Sequence, residues 1–131
     1  GPNGFDLDEN KQFIYINYNK GDKISKFDLI ANKEIESLSI ESPDNPYISN
    51  NSIWVTSLDS QPNDLRDCEV GKTCSAPFSI FELDKDTLMI KNKFSYSKTV
   101  FGLPTIAVPF ENKIYLGSFR SDRLGVIIDK Q

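Results

Sequence analysis

The chain of 131 residues contains no histidine. A Ser-His-Asp triad, a Cys-His dyad and a His-bound zinc or iron site are therefore excluded for this chain alone. Any chemistry falls to carboxylates, amides, hydroxyls or an oxygen-held metal. Basic surplus is lacking too: 15 Lys and Arg stand against 19 Asp and Glu, a net charge of -4. A phosphate-neutralising surface needs the opposite balance, so nucleic acid is set aside as a partner. Long apolar runs are absent. The longest are a few residues, such as Gly125–Ile128, far below the roughly 20 needed to cross a bilayer as a helix. The only methionine is Met89 and the chain opens Gly1-Pro2-Asn3-Gly4. With no basic and apolar leader pattern, this start reads as a piece of something longer or a processed product. What remains is ordinary for a globular domain: 38% hydrophobic and 26% charged residues.

Helical periodicity is absent as well, and short β-type runs recur in its place. Phe13-Ile14-Tyr15-Ile16, Ile53-Trp54-Val55-Thr56 and Ile114-Tyr115-Leu116-Gly117 are rich in β-branched and aromatic residues. Each follows a polar turn: Asp8–Lys11, Asn50-Asn51 and Glu111–Lys113. A weaker strand precedes each turn (Phe5–Leu7, Tyr47-Ile48, Thr105–Val108), and a further one follows (Ile24–Leu29, Phe78–Leu83, Leu124–Ile128). Fourth strands fit Glu36–Ile40 and Thr87–Phe94.

The chain thus reads as all-β, built from three repeats of four-stranded antiparallel type, about 1–41, 42–95 and 96–131, the last incomplete. Their central aromatics Tyr15, Trp54 and Tyr115 lie 39 and 61 residues apart. The first spacing is close to that of a β-propeller blade, and the loop Asp59–Ala76 swells the second. Three blades leave a ring open, since propellers have typically 4–8. The expected architecture is the C-terminal three blades of a longer propeller, its N-terminal blades missing and its ring closed by that missing half or a second chain. A small secreted β-sandwich binding protein is the plainer alternative. The three aromatics are expected to pack between blades.

In a propeller the innermost strands line a central channel, and groups at one end of them converge. Asn3-Gly4 and Pro43-Asp44-Asn45-Pro46 hold matching places in the first two repeats. Asn3, Asp44 and Asn45 offer hard oxygens, which suit calcium with its 6–8 oxygen ligands. Both segments also read as turns, since Asn-Gly and Asp-Asn are ordinary turn dipeptides. Cys68 and Cys74, six apart around Gly71 in a polar loop, either close a small ring or remain free thiols. Asn50-Asn51-Ser52 is a glycosylation sequon at an expected hairpin tip. Gly71-Lys72-Thr73 imitates the end of a phosphate loop, but Arg66 stands where the first glycine is required. Arg120, Asp122 and Arg123 read as a solvated charged turn.

Taken together, these motifs resemble the paraoxonase/arylesterase family. The resemblance lies in Asn3-Gly4-Phe5, the strand Phe13–Ile16, Lys23-Ile24, and Asp44-Asn45 ahead of Ile53-Trp54-Val55. Ser42-Pro43-Asp44-Asn45 and Tyr115-Leu116-Gly117-Ser118-Phe119-Arg120-Ser121 are similar to the strictosidine-synthase-like branch, which includes adipocyte plasma membrane-associated proteins. Asn3-Gly4 also matches the more distant gluconolactonase group. The resemblance spans essentially the whole chain. It implies a six-bladed propeller with calcium at the mouth of its channel, held in part by Asn3, Asp44 and Asn45, with Thr105 on the pocket wall. It implies calcium-dependent hydrolysis of aryl esters or lactones, with no general base assigned to this chain. It also implies a secreted or lumenal protein, and so favours the Cys68–Cys74 disulfide.

This sequence departs from the pattern at two places. Thr56-Ser57-Leu58-Asp59 contains no histidine after the tryptophan, and Val126-Ile127 replaces a closing cysteine. The family's further Glu and Asn ligands have no counterpart here, so the chain by itself is expected to be inactive. A non-catalytic calcium-binding propeller, acting as an interaction or chaperone-like module, is the alternative within the same fold.

Overall fold

The structure, a computed structural model, describes residues 1–59 and 68–128. Strand-forming runs separated by tight turns give eleven strands in sequence: β1 (Pro2–Leu7), β2 (Phe13–Tyr18), β3 (Lys23–Asp28), β4 (Lys33–Ser39), β5 (Tyr47–Ser49), β6 (Ser52–Leu58), β7 (Phe78–Asp84), β8 (Ile90–Tyr96), β9 (Pro104–Phe110), β10 (Lys113–Ser118) and β11 (Gly125–Ile128). They form three antiparallel meanders: β1-β2-β3-β4, β5-β6-β7-β8 and β9-β10-β11. Three consecutive sheets stand where a sandwich would have two. The turns carry left-handed residues at Lys11, Asp22, Asn32, Asn50 and Glu111, which lets each hairpin close in a few residues. Asn50 sits at the β5–β6 tip, where Ser49 pairs with Ser52, and is exposed.

One expected strand begins later than the sequence suggests. Thr87–Leu88 belongs to a turn, because the Asp84 carboxylate accepts from the Asp86 and Thr87 amides at 2.9 and 3.0 Å. Leu88 then turns left-handed and buries its side chain, and β8 starts at Ile90.

The sheets stack face to face. Tyr15 and Ile24 of the first meet Ile53, Val55, Phe81 and Leu83 of the second, with Ile40 and Leu88 filling the ends. Trp54, Phe78 and Ile80 on the opposite face of the second sheet meet Ala107, Ile114, Leu116 and Ile127 of the third, with Phe101. Alternation along β6 makes this possible: Ile53 and Val55 point one way and Trp54 the other. The central aromatics Tyr15 and Trp54 each pack onto the following sheet, as the repeat predicts. Tyr115 differs. It is only half-buried, since no described sheet lies beyond the third. The same logic holds at the other end of the stack. Ile14 and Ile16 of β2 occupy the places of Ile53 and Val55 on β6, yet they are only half-buried.

First strands sit side by side: β1 touches β5 and β5 touches β9. Outer strands β4 and β8 present Lys33, Glu34, Glu36, Lys91 and Lys93 to solvent, which discourages further pairing at those edges. No described helix is long and apolar enough to cross a membrane.

Candidate functional site at the convergent ends of the inner strands

Each inner strand is entered through a proline that pairs across to the second strand at an equivalent position. Pro2 faces Tyr18, Pro43 bridges to Ser57, and Pro104 faces Ser118. These partners each lie three residues beyond a central aromatic, so Pro2, Pro43 and Pro104 are structural equivalents. The residues that follow them, Asn3, Asp44 and Thr105, are then equivalents too. This proline register is visible in the sequence as Gly1-Pro2-Asn3, Ser42-Pro43-Asp44 and Leu103-Pro104-Thr105. Ser42 and Leu103, ahead of two of these prolines, have φ of 41° and 51°, a backbone region that non-glycine residues seldom occupy.

The three sheets thereby bring the four expected residues together. Asn3 is the bulged residue of β1, where the register shifts between Pro2 and Gly4. A bulge re-aims its side chain, and the Asn3 Nδ2 donates to Asp44 Oδ1 at 3.1 Å. The Asp44 amide donates to the Thr56 carbonyl at 3.3 Å, and the Asn45 amide to the Thr105 carbonyl at 3.0 Å. Thr105 is thus tied to the site through its main chain. Asn45 lies directly against Gly4: a Cβ at position 4 would collide with Asn45 Oδ1 and stand 2.8 Å from its Cα. The Asn-Gly pair is therefore a strand feature here, with the glycine making room for Asn45, and not the hairpin turn that the dipeptide alone suggests.

Support comes from outside the inner strands. On β2, Asn17 Nδ2 donates to the Asp44 carbonyl, and just beyond that strand Asn19 Nδ2 donates to the Pro43 carbonyl at 3.2 Å. The Asp22 carboxylate accepts from the Ser42 amide at 2.9 Å. Ser57 Oγ donates to the Glu41 carbonyl at 2.5 Å. The segment from Glu41 to Asn45 has no regular ladder of its own, and these groups fix it. Neither Asn17 nor Asn19 is signalled by any motif.

Asp44 is the one charged residue among Asn3, Asp44, Asn45 and Thr105. Partial burial pushes its carboxyl above the ordinary value of 3.8, because desolvation disfavours the anion. The four salt bridges seen among the described residues involve other carboxylates. Asp44 therefore has an amide donor and no cationic partner among the described residues. No group of three His, Cys, Asp or Glu side chains gathers there or elsewhere among them. The site is built from one carboxylate with amide and carbonyl oxygens around it. That is a hard-oxygen donor set, matched to calcium more than to zinc or iron.

Near the same end lies the connection between β6 and β7. Cys68 and Cys74 form a disulfide, with their Cα atoms 4.7 Å apart, and pack with Ala76 and Leu103. The loop between them is docked onto the third sheet. Arg120 Nη1 donates to the Cys68 carbonyl at 2.9 Å, the Gly71 amide to the Arg120 carbonyl at 2.7 Å, and the Asp122 amide to the Lys72 carbonyl at 3.1 Å. Arg120 is thus an anchor and not merely part of a solvated turn, whereas Asp122 and Arg123 pair with each other at 2.6 Å. The serines of Ser118-Phe119-Arg120-Ser121 are similarly occupied: Ser118 Oγ and Ser121 Oγ both donate to the Gly102 carbonyl, at 2.8 and 3.0 Å. Lys72, in the phosphate-loop look-alike, pairs with Glu69 at 2.9 Å, and no helix follows it. Arg66 lies outside the described residues.

No family model matches the chain, and no curated protein matches it significantly.

Proposed function

We infer that this chain is three consecutive blades of a β-propeller whose inner strands hold calcium through Asn3, Asp44 and Asn45. The observation that carries this reading is the meeting of Asn3 and Asp44, 41 residues apart in sequence, around a partly buried carboxylate that no Lys or Arg among the described residues pairs with. Two structural features support the propeller. Inner strands β1, β5 and β9 adjoin in order, as blades around an axis require. The two end faces of the stack also leave half-buried the equivalents of residues that are buried between the sheets, as expected where further blades complete the ring.

The donor set fits the ion. One carboxylate and neutral amide oxygens are calcium chemistry, and the space that Gly4 leaves open admits Asn45 to the group. The Asn3 side-chain amide donates its nitrogen to Asp44; to share a cation with Asp44 it would present its oxygen instead. Three such residues fall short of 6–8 oxygens, so the remaining ligands belong to the blades that close the ring. When bound, the ion supplies Lewis-acid polarisation of an ester or lactone carbonyl. This chain's residues hold and orient it, with Thr105 fixing the Asn45 main chain at the pocket wall.

The full ring is accordingly a calcium-dependent hydrolase of aryl esters or lactones, and the three blades alone are inactive. The disulfide accords with an oxidising, secreted or lumenal setting. Phenyl acetate tests this reading: a protein carrying the whole ring should hydrolyse it only with calcium, and Asp44→Asn should abolish the turnover. Calcium-dependent turnover by residues 1–131 alone would contradict the shared site. Calcium binding by the ring with no turnover would favour the non-catalytic module, which the missing histidine after Trp54 also favours.

A further inference from the structure

Asn17 and Thr56 occupy equivalent positions on β2 and β6, each two residues beyond a central aromatic. Both are fully buried, and both keep a side-chain oxygen with no partner, Asn17 Oδ1 and Thr56 Oγ1. Buried polar atoms are nearly always paired, so two exceptions at one repeat position have a shared origin. Both residues grip Asp44: Asn17 Nδ2 donates to its carbonyl, and the Thr56 carbonyl accepts its amide at 3.3 Å. The peptide groups flanking the Asp44 Cα are thus held from two neighbouring strands, in a segment that lacks a ladder of its own. A leucine at position 17 would fill the same space and remove the unpaired Oδ1, but it would also take the donor from the Asp44 carbonyl. Removing one partner of a buried hydrogen bond costs stability, and here it also removes the hold on Asp44.

We propose that Asn17 is a positioning residue, one that fixes the Asp44 carboxylate beside Asn3 at the expense of a buried, unpaired oxygen. It touches neither the ion nor the substrate, and it acts through the Asp44 main chain. This inference rests on the cation site described above and names what sets its geometry.

The test separates affinity from stability. The wild-type chain, Asn17→Leu and Asn17→Ala are titrated with calcium chloride, and binding is followed by the NMR shifts of the Asn3 and Asn45 side-chain amides. Thermal melts of the same proteins are recorded in chelator. Asn17→Leu should melt below the wild-type temperature, since the Asp44 carbonyl loses its donor, and should bind calcium at least about tenfold more weakly, a loss of about 1.4 kcal/mol. Asn17→Ala, should the leucine variant fail to fold, should show the same loss of affinity. Wild-type affinity in either folded variant, with a lowered melt, would show a merely structural asparagine and overturn the proposal alone. Absence of calcium binding by the wild-type chain would overturn the cation site, and the proposal with it.

Discussion

Gly4→Ala is the smallest change that bears on how the inner strands meet. The added carbon would lie 2.8 Å from the Asn45 Cα and would also collide with its Oδ1. Carbon atoms rest about 3.5–4.0 Å apart, so Asn45 must retreat by roughly 1 Å. A flexible side chain would absorb that shift, but the contact includes main chain, and the Asn45 amide is tied to the Thr105 carbonyl. Overpacking of this kind costs about 1–3 kcal/mol, against a gain of about 0.4–1 kcal/mol from stiffening the unfolded chain. The net loss is about 1–2 kcal/mol. At about 2.1 cal/mol/K per residue of unfolding entropy, the melting temperature should fall by roughly 4–7 °C. Circular dichroism at the β-sheet band measures it, with Gly1→Ala as the control, since no atom lies within 4 Å of a Cβ there. A Gly4→Ala melt indistinguishable from wild type would refute the close packing of β1 against Asn45.

Three further outcomes are expected. Trp54→Ala should cost about 3–5 kcal/mol, because the ring is buried between the second and third sheets. Tyr115→Ala should cost less than half as much, and equal losses in denaturant titration would contradict the assigned faces. Opening the Cys68–Cys74 ring, six residues apart, should lower stability by about 2 kcal/mol and leave the three sheets folded. Melts with and without reductant measure this, and two free thiols by mass spectrometry of the unreduced protein would contradict the bridge. Asp44 has its folded-state carboxyl raised above 3.8 by burial. In chelator its contribution to stability is therefore lost as pH rises from 3.8 through the raised value. Asp44→Asn should remove that pH dependence and melt higher than wild type at neutral pH. Identical pH profiles for the two proteins would show that Asp44 is not desolvated.

Much of the fold was legible because the period-2 runs around Tyr15, Trp54 and Tyr115 are long enough to separate strand from helix, and polar turns punctuate them. Strand ends were less so. The Asp84 turn that delays β8 depends on one carboxylate capping two amides, which composition does not reveal. Half-exposure of Tyr115 was equally hidden, since burial depends on what stands beyond the third sheet. At the site, Asn3 and Asp44 were found through short motifs, but the β1 bulge that turns Asn3 toward Asp44 leaves no mark in the sequence. Pro43 and Pro104 each lie 11 residues ahead of their aromatic, but Pro2 lies 13 ahead of Tyr15 because the β1–β2 turn is longer, so spacing alone does not align the three entries. Asn17 and Asn19 were invisible, because their role comes from a neighbouring strand reaching beneath an irregular segment.

A calcium titration of thermal stability tests the central claim most directly, with wild type and Asp44→Asn melted side by side at neutral pH. A partial oxygen site should bind in about the 10⁻⁴–10⁻³ M range, and calcium at ten times the dissociation constant should add about 1.4 kcal/mol of stability. The melting temperature should climb with calcium in wild type and stay flat in Asp44→Asn. A wild-type melt unmoved by calcium, or the same climb in both proteins, would contradict it.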